Sequence, residues 1–308
     1  MLSTLGIHES VEVVFAPESF RDALGDLDLD VRVVSTGDLG DCDALVTLAY
    51  DESFLSSNLK WIHSVQAGID RFPLAELQAE GIRLTNSTGI HGDTVGETVA
   101  GYMLSFARQL HRYRTQQADK KWSTAPLDVP YSVAGSPVCV VGLGTLGRGV
   151  VARANALGMD VTGVKRTPTP VDGVERVYPP RDLVTAIEDA KFVVLTVPLT
   201  DETEGLIGPA ELSAMRTDAV LINVARGPVV EQDALVEALE EEAIAGAALD
   251  VFEEEPLPPE SPLWAMDDVI VTPHVAAATR DYHFRVAAIV RENVSRYGDG
   301  QSLGNAVI

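Results

Sequence analysis

Three glycines at positions 142, 144 and 147, in the run G-L-G-T-L-G, are the first residues of this 308-residue chain whose type and spacing point to chemistry. Gly142 permits a tight turn after the apolar run Val138–Val141. Gly144 lets the backbone approach a ligand, and Gly147 lets the following helix pack on the strand. Leu146, Val150, Val151, Ala154 and Leu157 then recur at helical spacing, and Val161–Val164 forms a second apolar run. Strand, glycine turn, helix, strand is one βαβ unit of a dinucleotide-binding domain. Thr145 and Leu146 complete its loop, and the free N–H groups at the helix start suit a pyrophosphate.

Where such units carry an acid for the ribose hydroxyls of NAD, this chain has Lys165, Arg166 and Thr167. A carboxylate there would repel a 2′-phosphate; two cations and a hydroxyl attract one. NADP, with NADPH preferred over NADH, is the expected coenzyme, and NAD use remains open to it. Lysine is scarce: the others are Lys60, Lys120, Lys121 and Lys191.

The elements that must position this loop alternate along the chain. Before it, strands are expected at Val11–Phe15, Val31–Val34, Ala44–Leu48, Leu59–Val65 and Ile82–Leu84, with helices at Phe20–Leu24 and Leu74–Ala79. Between strand and helix, Q-A-G-I-D (Gln66–Asp70) suits a turn whose N–H groups hold a carboxylate. One long helix is expected over Thr94–Gln117, with Thr94 and Glu97 at capping-box spacing. After the glycine loop come a helix at Leu183–Ala190, strands at Phe192–Val197 and Val220–Val224, a helix at Glu231–Glu240, strands at Ile244–Leu249 and Val269–Val271, and a closing helix at Arg280–Tyr297. The fold class is α/β: two doubly wound, Rossmann-like domains with a cleft between them. Residues 1–95 with 280–308 are expected to bind substrate, and 96–279 the dinucleotide. Ligands gather at the carboxyl ends of such strands, which singles out Thr196, Asn223, Arg226, Asp250, Thr272 and His274.

Composition limits the partners. With 46 acidic against 23 basic residues the formal charge is −23, so nucleic acid and anionic membranes are poor partners. Acidic excess with few lysines is the composition of halophilic proteins, whose self-repulsion is screened by high salt. Neither an apolar run of membrane-spanning length nor a signal-like start is present, which predicts a cytoplasmic protein. Cys42 and Cys139 lack metal-ligand spacing, and no metal site is expected.

The ordered set Q-A-G-I-D, G-L-G-T-L-G, V-P-L-T (197–200), I-N-V-A-R-G (222–227), A-L-D-V-F-E-E-E-P (248–256) and T-P-H (272–274) resembles the D-specific 2-hydroxyacid dehydrogenases over the whole chain. The resemblance implies hydride transfer from the nicotinamide to a small 2-keto acid. It assigns Arg226 to the substrate's carboxylate and carbonyl oxygen, His274 to acid/base work, Glu255 as its partner and Asp250 to the nicotinamide amide. Glu253 and Glu254 are alternatives to Glu255. Thr94, Thr196, Val197, Pro198, Val224 and Ala225 are expected to line the coenzyme; Tyr50, Ala67 and Gly68 join Arg226 and His274 at the substrate. The chemistry fits these types, since histidine delivers a proton near neutral pH and an arginine fork suits a planar carboxylate. The family is commonly dimeric, so a homodimer is expected. A glyoxylate or hydroxypyruvate reductase is the alternative within the family, and a nucleotide-sensing binding protein the alternative of another class.

Overall fold

A computed structural model of the chain describes residues 2–308. It divides into two compact units, Met1–Ile90 with Ala278–Ile308, and His91–Ala277. The boundary falls ahead of residue 95 because the helix expected from Thr94 begins at Gly92 and packs along helix Thr145–Ala156 of the second unit.

The first unit carries a parallel sheet of β1 (Thr4–His8), β2 (Asp30–Val34), β3 (Ala44–Thr47), β4 (Trp61–Ser64) and β5 (Arg83–Asn86), in the order β2-β1-β3-β4-β5. Every residue of β1, β3 and β4 is buried, as expected where both faces are covered. Phe20, Tyr282, Val286 and Val290 pack in one apolar layer, Phe54, Phe72 and Leu77 in another. The C-terminal residues cover the β5 edge, where the Val307 N–H donates to the Leu84 carbonyl at 2.8 Å.

The first strand lies at Thr4–His8, not at Val11–Phe15. Residues Glu9–Val13 form a 3-10 turn, opened by the Ser10 N–H donating to the His8 imidazole. Val11 and Phe15 are buried but Val13 between them is 81% exposed, so the apolar residues of V-E-V-V-F do not share the one face a strand would give them. T-L-G-I-H hides its strand character because only Leu5 and Ile7 in it are large and apolar.

The second unit holds β6 (Pro137–Val141), β7 (Asp160–Val164), β8 (Arg176–Tyr178), β9 (Phe192–Leu195), β10 (Val220–Asn223), β11 (Gly246–Leu249) and β12 (Val269–Val271). All are parallel, in the order β12-β11-β10-β9-β6-β7-β8. Strand order reverses between β6 and β9, so the ligand crevice of such a sheet lies beyond their carboxyl ends. Neither β8, three residues at the sheet edge, nor helix Pro209–Ala214 is marked by a periodic apolar pattern.

The expected helix Thr94–Gln117 is two helices, Gly92–Arg108 and Leu110–Ala118, broken at Gln109 (φ 58°). The second buries none of its residues, so no packing holds it in line with the first. The capping box does not form either. Thr94 Oγ1 donates back to the His91 carbonyl (3.1 Å), and Glu97 pairs with Arg153 (3.2 Å). Among the described residues no helix is long and apolar enough to cross a membrane, and no cluster of potential metal ligands occurs.

Candidate active site

The glycine loop joins β6 to helix Thr145–Ala156. Gly142 has φ +101°, where side chains are disfavoured. A Cβ on Gly147 would lie 1.9 Å from the Gly142 carbonyl oxygen, so the helix sits directly on the turn. Gly144 differs: a Cβ there would meet nothing within 4 Å. That open space lies beside the N–H groups of Thr145, Leu146 and Gly147, which as the first turn of the helix have no intrahelical acceptor. Donor set and room both fit a pyrophosphate. Thr196, just past β9, is buried, and its hydroxyl donates to the Val141 and Gly142 carbonyls beneath the turn. Thr196 therefore braces the loop; Val197 and Pro198 follow it. Thr94 is half-buried on the first turn of its helix, beside the start of helix Thr145–Ala156.

Beyond β7, Arg166 and Thr167 are exposed, and Lys165 Nζ donates to Thr169 Oγ1 at 3.0 Å. Three donor side chains thus follow the strand that pairs with β6 beside the glycine loop.

A second group forms where β10, β11 and β12 end. Asn223 closes a small turn, its side chain accepting from the Ala225 N–H (3.0 Å) and donating to the Arg226 carbonyl (2.9 Å). Val224 and Ala225 are buried in that turn, and Arg226 is half-buried. The next residue must be glycine: a Cβ on Gly227 would come within 1.9 Å of the Phe252 backbone. The arginine turn is thereby seated on the segment that carries Glu255. Glu255 Oε2 lies 2.8 Å from His274 Nδ1, with both side chains more than a third exposed. Glu253 is held elsewhere, accepting from the Gln232 N–H at 3.0 Å. An ionised carboxylate only accepts, so Nδ1 carries a hydrogen and Nε2 is the nitrogen left to exchange a proton.

His274 sits in the left-handed region (φ 54°), a strain of about 1–3 kcal/mol for a non-glycine residue. Asp250 holds it there. The Asp250 carbonyl accepts from the His274 N–H (2.8 Å), and the carboxylate accepts from the Val275 N–H (2.9 Å), the Ala276 N–H (2.8 Å) and Thr272 Oγ1 (2.6 Å). Because that threonine proton goes to Asp250, the Tyr102 hydroxyl 2.6 Å away must donate to Thr272. Burial pushes the Tyr102 phenol up to about 12, so it remains a donor. The motif did not reveal this structural task of Asp250, which is 2% exposed with three of its acceptor positions filled. Tyr102 also escaped notice, since in sequence it reads as part of an apolar helical stripe.

In the first unit, Tyr50 stands edge-on to Phe54 and Phe72 past β3. Ala67 and Gly68 lie in the turn after β4. Among the described residues of this unit neither N–H meets an acceptor, while the Gln66 and Ala67 carbonyls are both bonded.

The sequence model "D-isomer specific 2-hydroxyacid dehydrogenase, NAD binding domain" matches residues 100–276. A glyoxylate reductase of Korarchaeum cryptofilum is 36% identical over 279 residues, 87% of this chain and 83% of that protein. A D-isomer specific 2-hydroxyacid dehydrogenase from Xanthobacter autotrophicus Py2, solved with NADPH and MES, superposes with a TM-score of 0.85 at 31% identity, covering 100% of this chain and 98% of that one. An NADPH-dependent glyoxylate/hydroxypyruvate reductase from Sinorhizobium meliloti, solved with NADP and sulfate, gives 0.84 at 27%, covering 99% and 98%. With the glycine loop and the paired histidine in place, this chain belongs to the D-isomer specific 2-hydroxyacid dehydrogenase family and is an oxidoreductase that uses NAD(P).

Proposed function

We propose that this chain reduces small 2-keto acids, glyoxylate among them, to D-2-hydroxy acids, with NADPH as the preferred coenzyme. The observation that carries the reading is the His274–Glu255 pair: the imidazole is tied at Nδ1 and presents Nε2. The unit His91–Ala277 is the dinucleotide-binding one, the unit containing β1–β5 the substrate-binding one. Bound NADPH supplies the hydride. Gly142, Gly144, Thr145, Leu146 and Gly147 hold its pyrophosphate; Lys165, Arg166 and Thr167 meet the 2′-phosphate. Arg226 polarises the keto oxygen, His274 Nε2–H delivers the proton, and Glu255 stabilises the imidazolium. The Ala67 and Gly68 N–H groups receive the substrate carboxylate, and Tyr50 flanks its side chain. No further cation among these residues would serve a second acidic group. Glyoxylate, pyruvate and 2-ketobutyrate should therefore turn over faster than oxaloacetate. A substrate panel read by NADPH oxidation checks this, and faster oxaloacetate turnover would count against it.

Two further readings concern the state in which the enzyme works. The −23 charge repels itself over about 10 Å at 0.1 M salt but only about 3 Å at 1 M, so the fold is adapted to high salt in a cytoplasm. Leu110, Trp122 and Leu127 are 52%, 101% and 102% exposed in one stretch of the second unit, which supports a homodimer formed through it. Melting and sedimentation in dilute buffer and in molar KCl read both. The melting temperature should rise by about 5 °C or more in KCl, where the protein should sediment as a dimer. An unchanged melting temperature refutes the first reading, and a monomer at micromolar concentration in KCl the second.

A further inference from the structure

A buried polar chain lies at the carboxyl ends of β4 and β5. Trp61, His63, Ser64, Thr85 and Ser87 are all 0% exposed. The Trp61 indole N–H donates to Thr85 Oγ1 (2.8 Å), which lies 2.8 Å from His63 Nδ1. His63 Nε2 lies 3.1 Å from Ser87 Oγ, and Ser87 Oγ donates to the Ser64 carbonyl at 3.1 Å. With all four contacts made as hydrogen bonds, one arrangement of hydrogens remains. The single Ser87 hydroxyl proton goes to the carbonyl, so Ser87 Oγ accepts from His63 Nε2–H. Nδ1 is then bare and accepts from Thr85, whose oxygen accepts from an indole that only donates. Burial pushes the imidazole down to about 3, which keeps it neutral across the physiological range.

The chain ends on the turn that carries Ala67 and Gly68. Ser87 ties the end of β4 and the turn together, its hydroxyl donating to the Ser64 carbonyl of the strand and its N–H to the Gln66 carbonyl of the turn (3.1 Å). The neighbouring Asn86 Nδ2 donates to the Ala67 carbonyl at 2.7 Å. In a planar trans peptide the C=O and the next N–H point in opposite directions. Drawing the Gln66 carbonyl toward Ser87 therefore aims the Ala67 N–H away from it. Drawing the Ala67 carbonyl toward Asn86 does the same for the Gly68 N–H.

We propose that His63 and Ser87 are positioning residues: their side chains anchor residue 87, whose N–H aims the Ala67 N–H through the Gln66 carbonyl while Asn86 aims that of Gly68, and this anchoring sets the affinity for the carboxylate of a 2-keto acid. The proposal rests on the reading that those two N–H groups receive the carboxylate. Neither side chain touches substrate. His63 acts by fixing the Ser87 hydroxyl, and Ser87 by fixing the turn. Loss of either should appear in substrate affinity and leave proton delivery and coenzyme binding intact.

The test uses Ser87→Ala and His63→Phe in the full-length protein in molar KCl with saturating NADPH. Oxamate, a non-reducible 2-keto acid analogue, serves as the probe. Oxamate Kd and glyoxylate KM should each rise about tenfold, a change of about 1.4 kcal/mol in affinity. kcat should stay within about twofold, the loss lying in binding alone, and NADPH affinity should not change. In the unsubstituted protein, the Ala67 and Gly68 amide 15N–1H signals should shift on adding oxamate, and more weakly in Ser87→Ala. If oxamate leaves those signals in place in the unsubstituted protein, the carboxylate reading fails and the proposal with it. If they shift, but Ser87→Ala binds oxamate as tightly as the unsubstituted protein, the positioning proposal alone is overturned. Ser87→Ala keeps the backbone N–H and loses only one oxygen, so it decides the matter even if His63→Phe does not fold.

Discussion

Turnover of 2-keto acids should fall by about 100-fold or more in His274→Ala, the usual loss when a positioned general acid is removed. The imidazole is held on three sides: Nδ1 by Glu255, its backbone N–H by the Asp250 carbonyl, and the following two N–H groups by the Asp250 carboxylate. No other side chain in residues 272–276 carries a nitrogen. The loss should lie in kcat, whereas Arg226→Ala should mainly raise KM, on the proposed role of the guanidinium in holding the substrate's carboxylate and keto oxygen in the ground state. Steady-state kinetics in molar KCl separate the two. Near-full turnover in His274→Ala would remove the histidine from the chemistry.

Preference for NADPH over NADH should be at least tenfold in kcat/KM. Charge-assisted hydrogen bonds contribute about 1.5–3 kcal/mol each, and Lys165 and Arg166 offer two. Both sit where solvent and salt screen them, and Lys165 must leave Thr169 to reach a phosphate, which places the expectation toward the low end. The double change Lys165→Asp with Arg166→Ala removes both cations and supplies an acceptor for a ribose hydroxyl. Preference should then invert toward NADH. Parity between coenzymes in the unsubstituted enzyme, or no shift in the double variant, would show that these cations do not read the 2′-phosphate.

Legibility in the sequence followed the physics of each element. The strands of the second unit are near-continuous apolar runs because both faces are buried, so β6, β9 and β10 stand out to within a residue or two. β8 does not, since three residues at a sheet edge carry no period. Periodicity runs through Gln109 although the helix breaks there, because a left-handed residue leaves no mark on the apolar pattern. Motif order singled out His274, Glu255 and Arg226, but not the groups that hold His274 and its loop. Tyr102, Thr272 and the Asp250 carboxylate come from three separate segments: the β11–β12 register brings Asp250 and Thr272 together, and helix Gly92–Arg108 brings Tyr102 to them. His63 likewise reads in sequence as one more buried strand residue; its partners Thr85 and Ser87 lie more than twenty positions away.

Hydride transfer from the coenzyme to C2 of a 2-keto acid, giving the D product, leaves a label that can be followed. Pyruvate reduced with NADPH deuterated at the transferable C4 position, in molar KCl, and resolved as lactate by chiral chromatography and mass spectrometry reads both the transfer and its stereochemistry. The expected product is D-lactate carrying one deuterium at C2. L-lactate, lactate without deuterium, or no turnover of pyruvate or glyoxylate with either coenzyme would contradict it.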